Sequence, residues 1–199
     1  MNHEDILKIL EETGAFLSGH FELSSGRHSD CYFQCALLLQ YPKMTEKVCQ
    51  ALANRFREKR ITVVIGPAIG GVIISFEVAR QLSARSLFAE RVEVKGPLLL
   101  RRNFQIQKGE KALVIEDVIT TGGSAKELID LVRSHGGDVV GVGALADRSD
   151  GQVSFDVPLE TLLKVSAESF TREECPLCKE KILFTKPGSR SLASRGTLE

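Results

Sequence analysis

The chain has 199 residues and an ordinary globular composition, 43% hydrophobic and 26% charged, which excludes a collagen, a coiled coil and a disordered chain. Basic and acidic residues number 26 each, so the net charge is zero and a broad electrostatic surface for nucleic acid or an anionic membrane is not expected. No apolar run is long enough to predict a membrane span, and the charged N-terminal residues lack the apolar core of a signal peptide.

The predicted elements divide the chain into three segments. Residues 1–60 predict a small N-terminal hood segment, with helices at 3–12 and 43–59 and short strands within 15–40. In the core, 61–165, β-branched runs alternate with helical patterns, which predicts βαβ crossovers, a parallel sheet and an α/β fold. The core elements are strands at 61–65, 86–90, 112–116 and 139–145, helices at 70–82 and 124–137, and a hairpin arm within 91–110. The last segment, 166–199, carries a C-x-x-C pair and a polar tail.

The segment 113–125, LVIEDVITTGGSA, carries the clearest chemical signal. An apolar strand runs into two carboxylates, and a loop of hydroxyls and glycines then opens a helix. Glycines let the backbone approach a ligand closely, and a helix N-terminus offers free N–H groups to a phosphate. The carboxylates at the strand end suit sugar hydroxyls or metal-bound water. A plain strand-to-helix turn capped by Ser124 is the alternative, and neither a Walker loop nor a G-x-G-x-x-G motif is present.

VIEDVITTGGSA resembles the phosphoribosyl-diphosphate signature of type I phosphoribosyltransferases. GHFELSSGRHSDCYFQ, followed by LLLQYP, is similar to the orotate phosphoribosyltransferase family, and IGPAIGGV, SLFAER, LRRNF and ALADRSDG match in the same order. The resemblance implies the parallel-sheet type I phosphoribosyltransferase fold with an N-terminal hood. It further implies phosphoribosyl transfer from phosphoribosyl diphosphate to orotate, with Mg²⁺ as cofactor. The implied assembly is a homodimer that binds neither nucleic acid nor a membrane.

For the phosphoribosyl donor, the resemblance implies that Glu116 and Asp117 hold the ribose 2′ and 3′ hydroxyls. The residues implied to wrap the 5-phosphate are Val118, Ile119, Thr120, Thr121, Gly122, Gly123 and Ser124. The segment 66–71 resembles the family's diphosphate loop, although a tight strand-to-helix turn would use the same glycines. Within it, Gly70 stands where many members carry a lysine, so backbone groups, magnesium and other cations must meet the diphosphate charge.

Arg91 and Lys95 match the start of the family's catalytic arm, which in other members reaches across a dimer interface onto the diphosphate. Together with Asp117 they are the catalytic residues that the resemblance implies. Several positions of the arm's usual basic run hold other residues here, and Arg101 and Arg102 are candidates to supply the missing charge. A solvated charged loop is the alternative interpretation of this segment.

For the acceptor, the resemblance implies contacts from Arg148, Thr120, Phe33 and Ser24. An arginine can pair with the orotate carboxylate through two hydrogen bonds, and an aromatic ring can stack on a flat pyrimidine. Ser24 stands where some members have a lysine, and burial in a core explains Phe33 equally well. No direct protein ligand for the metal is expected, because magnesium would be held through the substrate.

Cys175 and Cys178 form a C-x-x-C pair, which is half of a four-ligand zinc site, and the chain has no second such pair. Neither His20 nor His28 has the spacing of a metal ligand. A metal shared between subunits, a disulfide and a turn of reduced thiols therefore stay open. The odd number of cysteines, five, favours reduced thiols and a cytoplasmic location.

Two other functions fit parts of the sequence. A phosphoribosyltransferase for a purine or uracil is disfavoured, because the hood segment and Arg148 suit a carboxylated pyrimidine. A regulator that senses the donor without catalysis and binds nucleic acid is disfavoured by the zero net charge and by the presence of Arg91 and Lys95.

Overall fold

The computed structural model describes residues 1–23, 25–93, 96–165 and 169–187. Its helices and strands are, in chain order, α1 (His3–Glu12), β1 (Phe16–Glu22), β2 (His28–Phe33), α2 (Cys35–Leu39), α3 (Pro42–Asn54), a 3₁₀ helix (Arg57–Lys59), β3 (Val63–Pro67), α4 (Gly70–Leu82), β4 (Arg85–Arg91), β5 (Leu98–Leu100), β6 (Lys111–Ile119), α5 (Gly123–Ser134), β7 (Asp138–Asp147), β8 (Leu159–Lys164), β9 (Ser169–Phe170) and α6 (Pro176–Lys179). The chain folds into two compact units, the first from 1–15 and 34–165 and the second from 16–33 and 169–187.

The first unit is built on a six-stranded sheet with the strand order β5-β4-β3-β6-β7-β8. Only the β4-β5 pair is antiparallel, which confirms the predicted α/β class with a mainly parallel sheet. From β3 the chain crosses to β4 on one side, and from β6 it crosses to β7 on the other. The direction of winding therefore reverses between β3 and β6, and open α/β sheets bind ligands outside the carboxyl ends of such strands.

Helices cover both faces of this sheet. Since βαβ crossovers are right-handed and the two crossovers run in opposite directions, α4 and α5 lie on opposite faces. On one face, Leu128 and Val132 of α5 pack in a buried cluster with Ile65 of β3 and Val114 of β6. On the other face α4 packs against β3, β4 and β6, and α3 packs against α4. The central strands are thus buried on both faces, which matches their continuous apolar runs.

Most predicted elements are present, with displaced ends. The helix predicted at 70–82 is α4, whereas the helix predicted at 43–59 ends at Asn54 and continues as the 3₁₀ helix. Residues 35–39 form a helix and not a strand, because Cys35 and Leu38, three residues apart, both point into the interior. The strand predicted at 112–116 extends to Ile119, so the two carboxylates lie within β6. The sequence patterns did not predict β8, β9 or α6.

The second unit is a small antiparallel sheet with the order β1-β2-β9, followed by α6. The two units divide the chain differently from the segments 1–60, 61–165 and 166–199. Helix α1 packs against β8, and α3 packs against β7 and β8, so both belong to the first unit. The polar tail beyond 187 lies outside the described residues. Within the described ranges, none of the helices combines the length and the apolarity that a membrane span requires.

Candidate active site

The carboxyl ends of β6 and β7 form one edge of the sheet in the first unit. Ile119, the last residue of β6, lies beside Asp147, the last residue of β7. A cleft of about 240 Å³ opens at this edge. Its lining consists of the consecutive residues Glu116, Asp117, Val118, Ile119, Thr120, Thr121, Gly122, Gly123 and Ser124. The segment singled out in the sequence is therefore one continuous concave surface at the end of β6.

Gly122 makes the turn from β6 into α5. Its φ of 72° lies in the left-handed region, and a Cβ at this position would lie 2.6 Å from Cγ1 of Val153. Only glycine fits this backbone without a shift of its neighbours. Gly122 is also the N-cap of α5 and offers no side chain as a cap. The N–H of Gly123, the first residue of the helix, makes a long hydrogen bond of 3.5 Å to the Thr121 hydroxyl. A helix N-terminus of this kind attracts a phosphate through its N–H groups and its dipole.

The two carboxylates at the end of β6 lie in different environments. Glu116 is 8% exposed, and burial, with the adjacent Asp117 carboxylate, raises the pKa of Glu116 to about 8. The Asp117 side chain is partly exposed and accepts a hydrogen bond from the Val118 N–H at 2.8 Å. A Cβ on Gly70 would lie 2.5 Å from Oδ2 of Asp117. The start of α4 therefore lies close to the Asp117 carboxylate of β6. A diphosphate loop was predicted at this position.

Arg148 follows β7 at the same edge of the sheet. Its N–H donates to the carbonyl of Ile119 at 2.8 Å, which places it directly beside the start of the phosphate loop. Its side-chain Nε is buried and has no hydrogen-bond partner among the residues that the structure describes. The preceding carboxylate, Asp147, is occupied by the N–H and hydroxyl of Ser149. A buried N–H group without an acceptor costs free energy, and an anionic ligand in the neighbouring cleft would relieve that cost.

The predicted hairpin arm begins as the antiparallel pair β4-β5. Arg91, at the end of β4, makes two hydrogen bonds to Glu127 of α5, at 2.7 and 2.8 Å, and a third to the carbonyl of Gly96. These bonds lower the pKa of Glu127, which also accepts from the N–H of Leu98. Arg91 also lies close enough to Glu116 for its positive charge to oppose the rise in the pKa of that carboxyl. Within its own chain, Arg91 therefore borders the cleft but is engaged by an acid.

The two other arginines of the arm are paired as well. Arg102 contacts Glu90 at 3.0 Å, and Arg101 lies 3.6 Å from the same carboxylate. Both side chains are therefore engaged by Glu90, as Arg91 is by Glu127, and their supply of missing charge stays a prediction. Lys95 lies outside the described residues.

Phe33, one of the two acceptor residues predicted in the hood segment, belongs to the second unit. Phe33 is 8% exposed, and its ring contacts that of Phe16 with the centroids 6.3 Å apart. This packing agrees with the alternative interpretation of Phe33 as a core residue. Ser24 lies outside the described residues. Thr120 lies on the exposed part of the phosphate loop, in the first unit with Arg148.

Sequence reasoning missed two arrangements. No local pattern marks Glu127 as the partner of Arg91, since the two residues lie on different elements. His20 and His28, judged to lack ligand spacing, lie in the second unit with their ligand atoms within 4.8 Å of those of Cys175 and Cys178. The signal in the sequence that could have indicated this cluster was a C-x-x-C pair in a chain that also contains histidines.

Comparisons with known proteins agree with this geometry. Residues 36–172 match the family model described as phosphoribosyl transferase domain. Relatives from Desulforamulus reducens and Caldanaerobacter subterraneus subsp. tengcongensis, both named orotate phosphoribosyltransferase, are each 55% identical over 192 residues, or 96% of this chain and 100% of the relative. The crystal structure of orotate phosphoribosyltransferase from Aeropyrum pernix has a TM-score of 0.67 at 27% identity, covering 80% of this chain and 93% of that chain.

A fold likeness alone does not identify the base. The adenine phosphoribosyltransferase of Rhodothermus marinus has a TM-score of 0.65 at 23% identity, covering 81% of this chain and 99% of that chain. The fold and the loop at the end of β6 thus define the class as the type I phosphoribosyltransferases. The full-length sequence relatives narrow it further, and the chain belongs to the orotate phosphoribosyltransferase family. The predictions of fold class and family are confirmed.

Proposed function

We propose that this chain transfers the 5-phosphoribosyl group from phosphoribosyl diphosphate to orotate, forming orotidine 5′-phosphate and diphosphate in pyrimidine nucleotide synthesis. One observation in the structure supports the proposal: the cleft Glu116–Ser124 contains the start of α5, and Arg148, whose backbone N–H bonds Ile119 of that cleft, has a buried Nε with no partner among the described residues. The relatives that share 55% identity over nearly the whole chain bear the name of this activity. We expect the enzyme to act in the cytoplasm.

The donor would bind along the cleft. The N–H groups at the start of α5 and the hydroxyls of Thr121 and Ser124 suit its 5-phosphate. Glu116 and Asp117 would accept hydrogen bonds from the ribose hydroxyls. Burial raises the pKa of Glu116 to about 8 in the free protein, so this carboxyl could also donate a hydrogen bond to a ribose hydroxyl at neutral pH.

The acceptor would bind beside the phosphate loop. A guanidinium offers two parallel N–H donors to the orotate carboxylate, and the Nε of Arg148 lacks a partner within the described part of the chain. Thr120 is the exposed loop residue that would contact the base. Ser24 and Phe33 remain proposed contacts on the strength of the family resemblance alone.

Magnesium is the cofactor that the family resemblance implies, and the lining of the cleft fits it. The side chains along Glu116–Ser124 offer carboxylate and hydroxyl oxygens, which are the ligands that Mg²⁺ prefers. The ion would be held mainly through the oxygens of the donor, with Asp117 contacting it through water. When bound, it neutralises diphosphate charge and orients the donor.

The residues of the chain would act by positioning and by charge. Orotate N1 attacks the ribose C1 with inversion and gives up its proton to solvent, while negative charge grows on the leaving diphosphate as the bond to C1 breaks. Arg91 and Lys95 would place positive charge near that group, and Asp117 would orient the ribose. Closure of the arm would exclude water, which otherwise hydrolyses the donor. No side chain is needed as a nucleophile.

A second copy of the chain would complete the enzyme. Ile69, Ile73 and Phe76 form an apolar stripe at helical spacing along α4, and they are 85%, 46% and 62% exposed in the single chain. A homodimer would cover this stripe by pairing the same surface of two copies. For Arg91 to act on the partner's donor, as the family resemblance implies, its guanidinium has to leave Glu127.

The test is an assay of base specificity. With donor and magnesium present, orotate absorbance should fall, whereas adenine and uracil should not be consumed. Arg148→Ala should reduce the use of orotate, and Arg133→Ala, which alters an exposed arginine paired with Asp156, should not. Turnover of adenine or uracil without turnover of orotate would overturn the proposal. Donor binding without turnover of any base would favour the alternative function, a regulator that senses the donor without catalysis.

A further inference from the structure

Four metal-ligating side chains converge in the second unit, apart from the cleft of the first. They are His20, His28, Cys175 and Cys178, and their ligand atoms all lie within 4.8 Å of one another. Three of these side chains are buried, with Cys175 fully inaccessible, and Cys178 is partly exposed. Two histidine nitrogens and two cysteine sulfurs are one of the ligand sets of structural zinc sites.

The local structure explains how these ligands meet. In the antiparallel pair β1-β2, His28 lies opposite Glu22, and His20 precedes Glu22 by two residues. The register of this pair is irregular between Ser18 and Phe21, where His20 lies, and the imidazole rings of His20 and His28 meet with their centroids 4.8 Å apart. Cys175 is the N-cap of α6 and Cys178 lies in its single turn, so both sulfurs lie at the start of that helix. Residues far apart in the sequence thus supply two ligands each.

The distances suit a tetrahedral centre. Zinc bonds of about 2.3 Å to sulfur and about 2.0–2.1 Å to nitrogen place ligand nitrogen and sulfur atoms about 3.6 Å apart. Nε2 of His20 lies 3.4 Å from Sγ of Cys175 and 3.7 Å from Sγ of Cys178, and Nδ1 of His28 lies 3.3 Å from Sγ of Cys178. The two nitrogens are 2.7 Å apart, so metal binding requires a small separation of the two rings.

A hydrogen bond orients one of the histidines for this role. Nδ1 of His20 lies 2.7 Å from the carbonyl oxygen of Ile182, which can only accept, so Nδ1 carries the proton. Nε2 of the neutral ring then presents a lone pair toward His28 and both cysteines. A hydrogen bond from the ring nitrogen that does not bind the metal to a backbone carbonyl is the usual support for a histidine ligand. The ring of Phe184 packs edge-on against both imidazoles, with centroids 5.6 and 4.9 Å away, and shields them.

We propose that His20 Nε2, His28 Nδ1, Cys175 Sγ and Cys178 Sγ bind one Zn²⁺ within each chain, as a structural site. Binding deprotonates both thiols and releases two protons to solvent. Four protein ligands leave no open position for a substrate, so this site is distinct from the magnesium chemistry of the cleft. The nitrogen and sulfur donors also disfavour Mg²⁺, which prefers oxygen.

The site explains how so small a unit stays folded. The strand β9 has only two residues, and α6 only four. Units of this size seldom bury enough apolar surface to fold without a metal or a disulfide. The zinc would join α6 to the β1-β2 hairpin. In the sequence, the lack of a second cysteine pair left open a metal site shared between subunits. In the structure, His20 and His28 of the same chain supply the other two ligands.

The first experiment measures the metal in the whole protein, purified without a histidine tag. We expect one zinc per chain by elemental analysis and a native mass higher by one zinc ion less two protons. Replacement by Co²⁺ should give the visible absorption of a tetrahedral centre, with a near-ultraviolet band from thiolate-to-cobalt charge transfer. Protein that holds no metal after zinc exposure, holds iron instead, or contains a disulfide between Cys175 and Cys178 would overturn the proposal.

Variants assign the ligands. Cys178→Ala and His28→Ala should lose the stoichiometric zinc and the charge-transfer band, whereas the controls Cys49→Ala and His135→Ala, in the first unit, should keep both. Retention of full zinc binding by the ligand variants would place the metal elsewhere and overturn the site. If these variants do not fold, the cobalt spectrum of the unaltered chain still decides. A spectrum without a thiolate band would overturn the assignment.

Discussion

Glu116→Gln should remove a pH dependence of stability that originates in the cleft. Burial, together with Asp117, raises the pKa of the Glu116 carboxyl to about 8, against 4.5 for an unperturbed glutamate. Between these two pH values the folded protein keeps a proton that the unfolded chain has lost. Since the folded state binds more protons there, the free energy of unfolding falls as the pH rises from about 4.5 to about 8. Above about pH 8 the free energy of unfolding falls no further on account of Glu116.

The size of the effect follows from the two pKa values. At 1.36 kcal/mol per pH unit, the interval corresponds to a loss of roughly 4–5 kcal/mol, of which about 3 kcal/mol falls between about pH 5 and about pH 8. For a chain of this length, 1 kcal/mol moves the melting temperature by about 2–4 °C. The wild type should therefore lose roughly 6–12 °C relative to Glu116→Gln across that range, because glutamine cannot ionise.

The assay is scanning calorimetry of both proteins from about pH 5 to about pH 8, without magnesium or donor. Other titrating groups act equally on both proteins, so the difference between them isolates Glu116. Glu58→Gln, which alters an exposed glutamate, is the matched control and should follow the wild type at every pH. If the difference in melting temperature between the wild type and Glu116→Gln is constant with pH, the Glu116 carboxyl ionises as it does in water. The argument for a desolvated acid in the cleft would then fail.

Four further changes test the site and the assembly. Asp117→Asn should lower kcat/KM for the donor roughly 10- to 100-fold. It should leave the melting temperature at about pH 8 unchanged or higher, because removal of the Asp117 charge lowers the pKa of Glu116 and makes ionisation of that carboxyl in the folded protein less costly. An unaltered kcat/KM would remove Asp117 from the donor site. Gly122→Ala should lower the free energy of unfolding by roughly 1–3 kcal/mol in urea denaturation, because alanine disfavours a φ of 72° and its Cβ would meet Val153; an unchanged value would mean that the loop rearranges at no cost. Phe76→Glu should convert the proposed homodimer to monomers in sedimentation, and a dimer that persists would place the interface elsewhere on the chain. Mixing Arg91→Ala subunits with Asp117→Asn subunits should restore part of the activity, because a mixed dimer pairs one intact arm with one intact loop. A mixture as inactive as its parents, with subunit exchange verified by mass spectrometry, would assign Arg91 to the site of its own chain.

The sequence by itself determined the elements and the chemistry that are local. Helix α4 and the run of strands could be predicted because apolar periodicity reflects burial within a few residues. The phosphate loop could be predicted because its carboxylates, hydroxyls and glycines are consecutive, so one short segment carries the whole feature. The family followed from motifs in a fixed order along the chain. Helix α2 was missed because Cys35–Leu39 is too short for a periodic pattern to separate helix from strand.

Only the tertiary structure decided which distant groups meet. The pairing of Arg91 with Glu127 and the raised pKa of Glu116 depend on burial and on neighbours that no local pattern specifies. The cluster of two histidines and two cysteines is the clearest case, since His20 and Cys175 are 155 residues apart. Each half looks incomplete in the sequence, because ligand spacing along one segment says nothing about a second segment. The strand register of β1-β2 and the position of α6 bring the halves together, and both are properties of the folded chain.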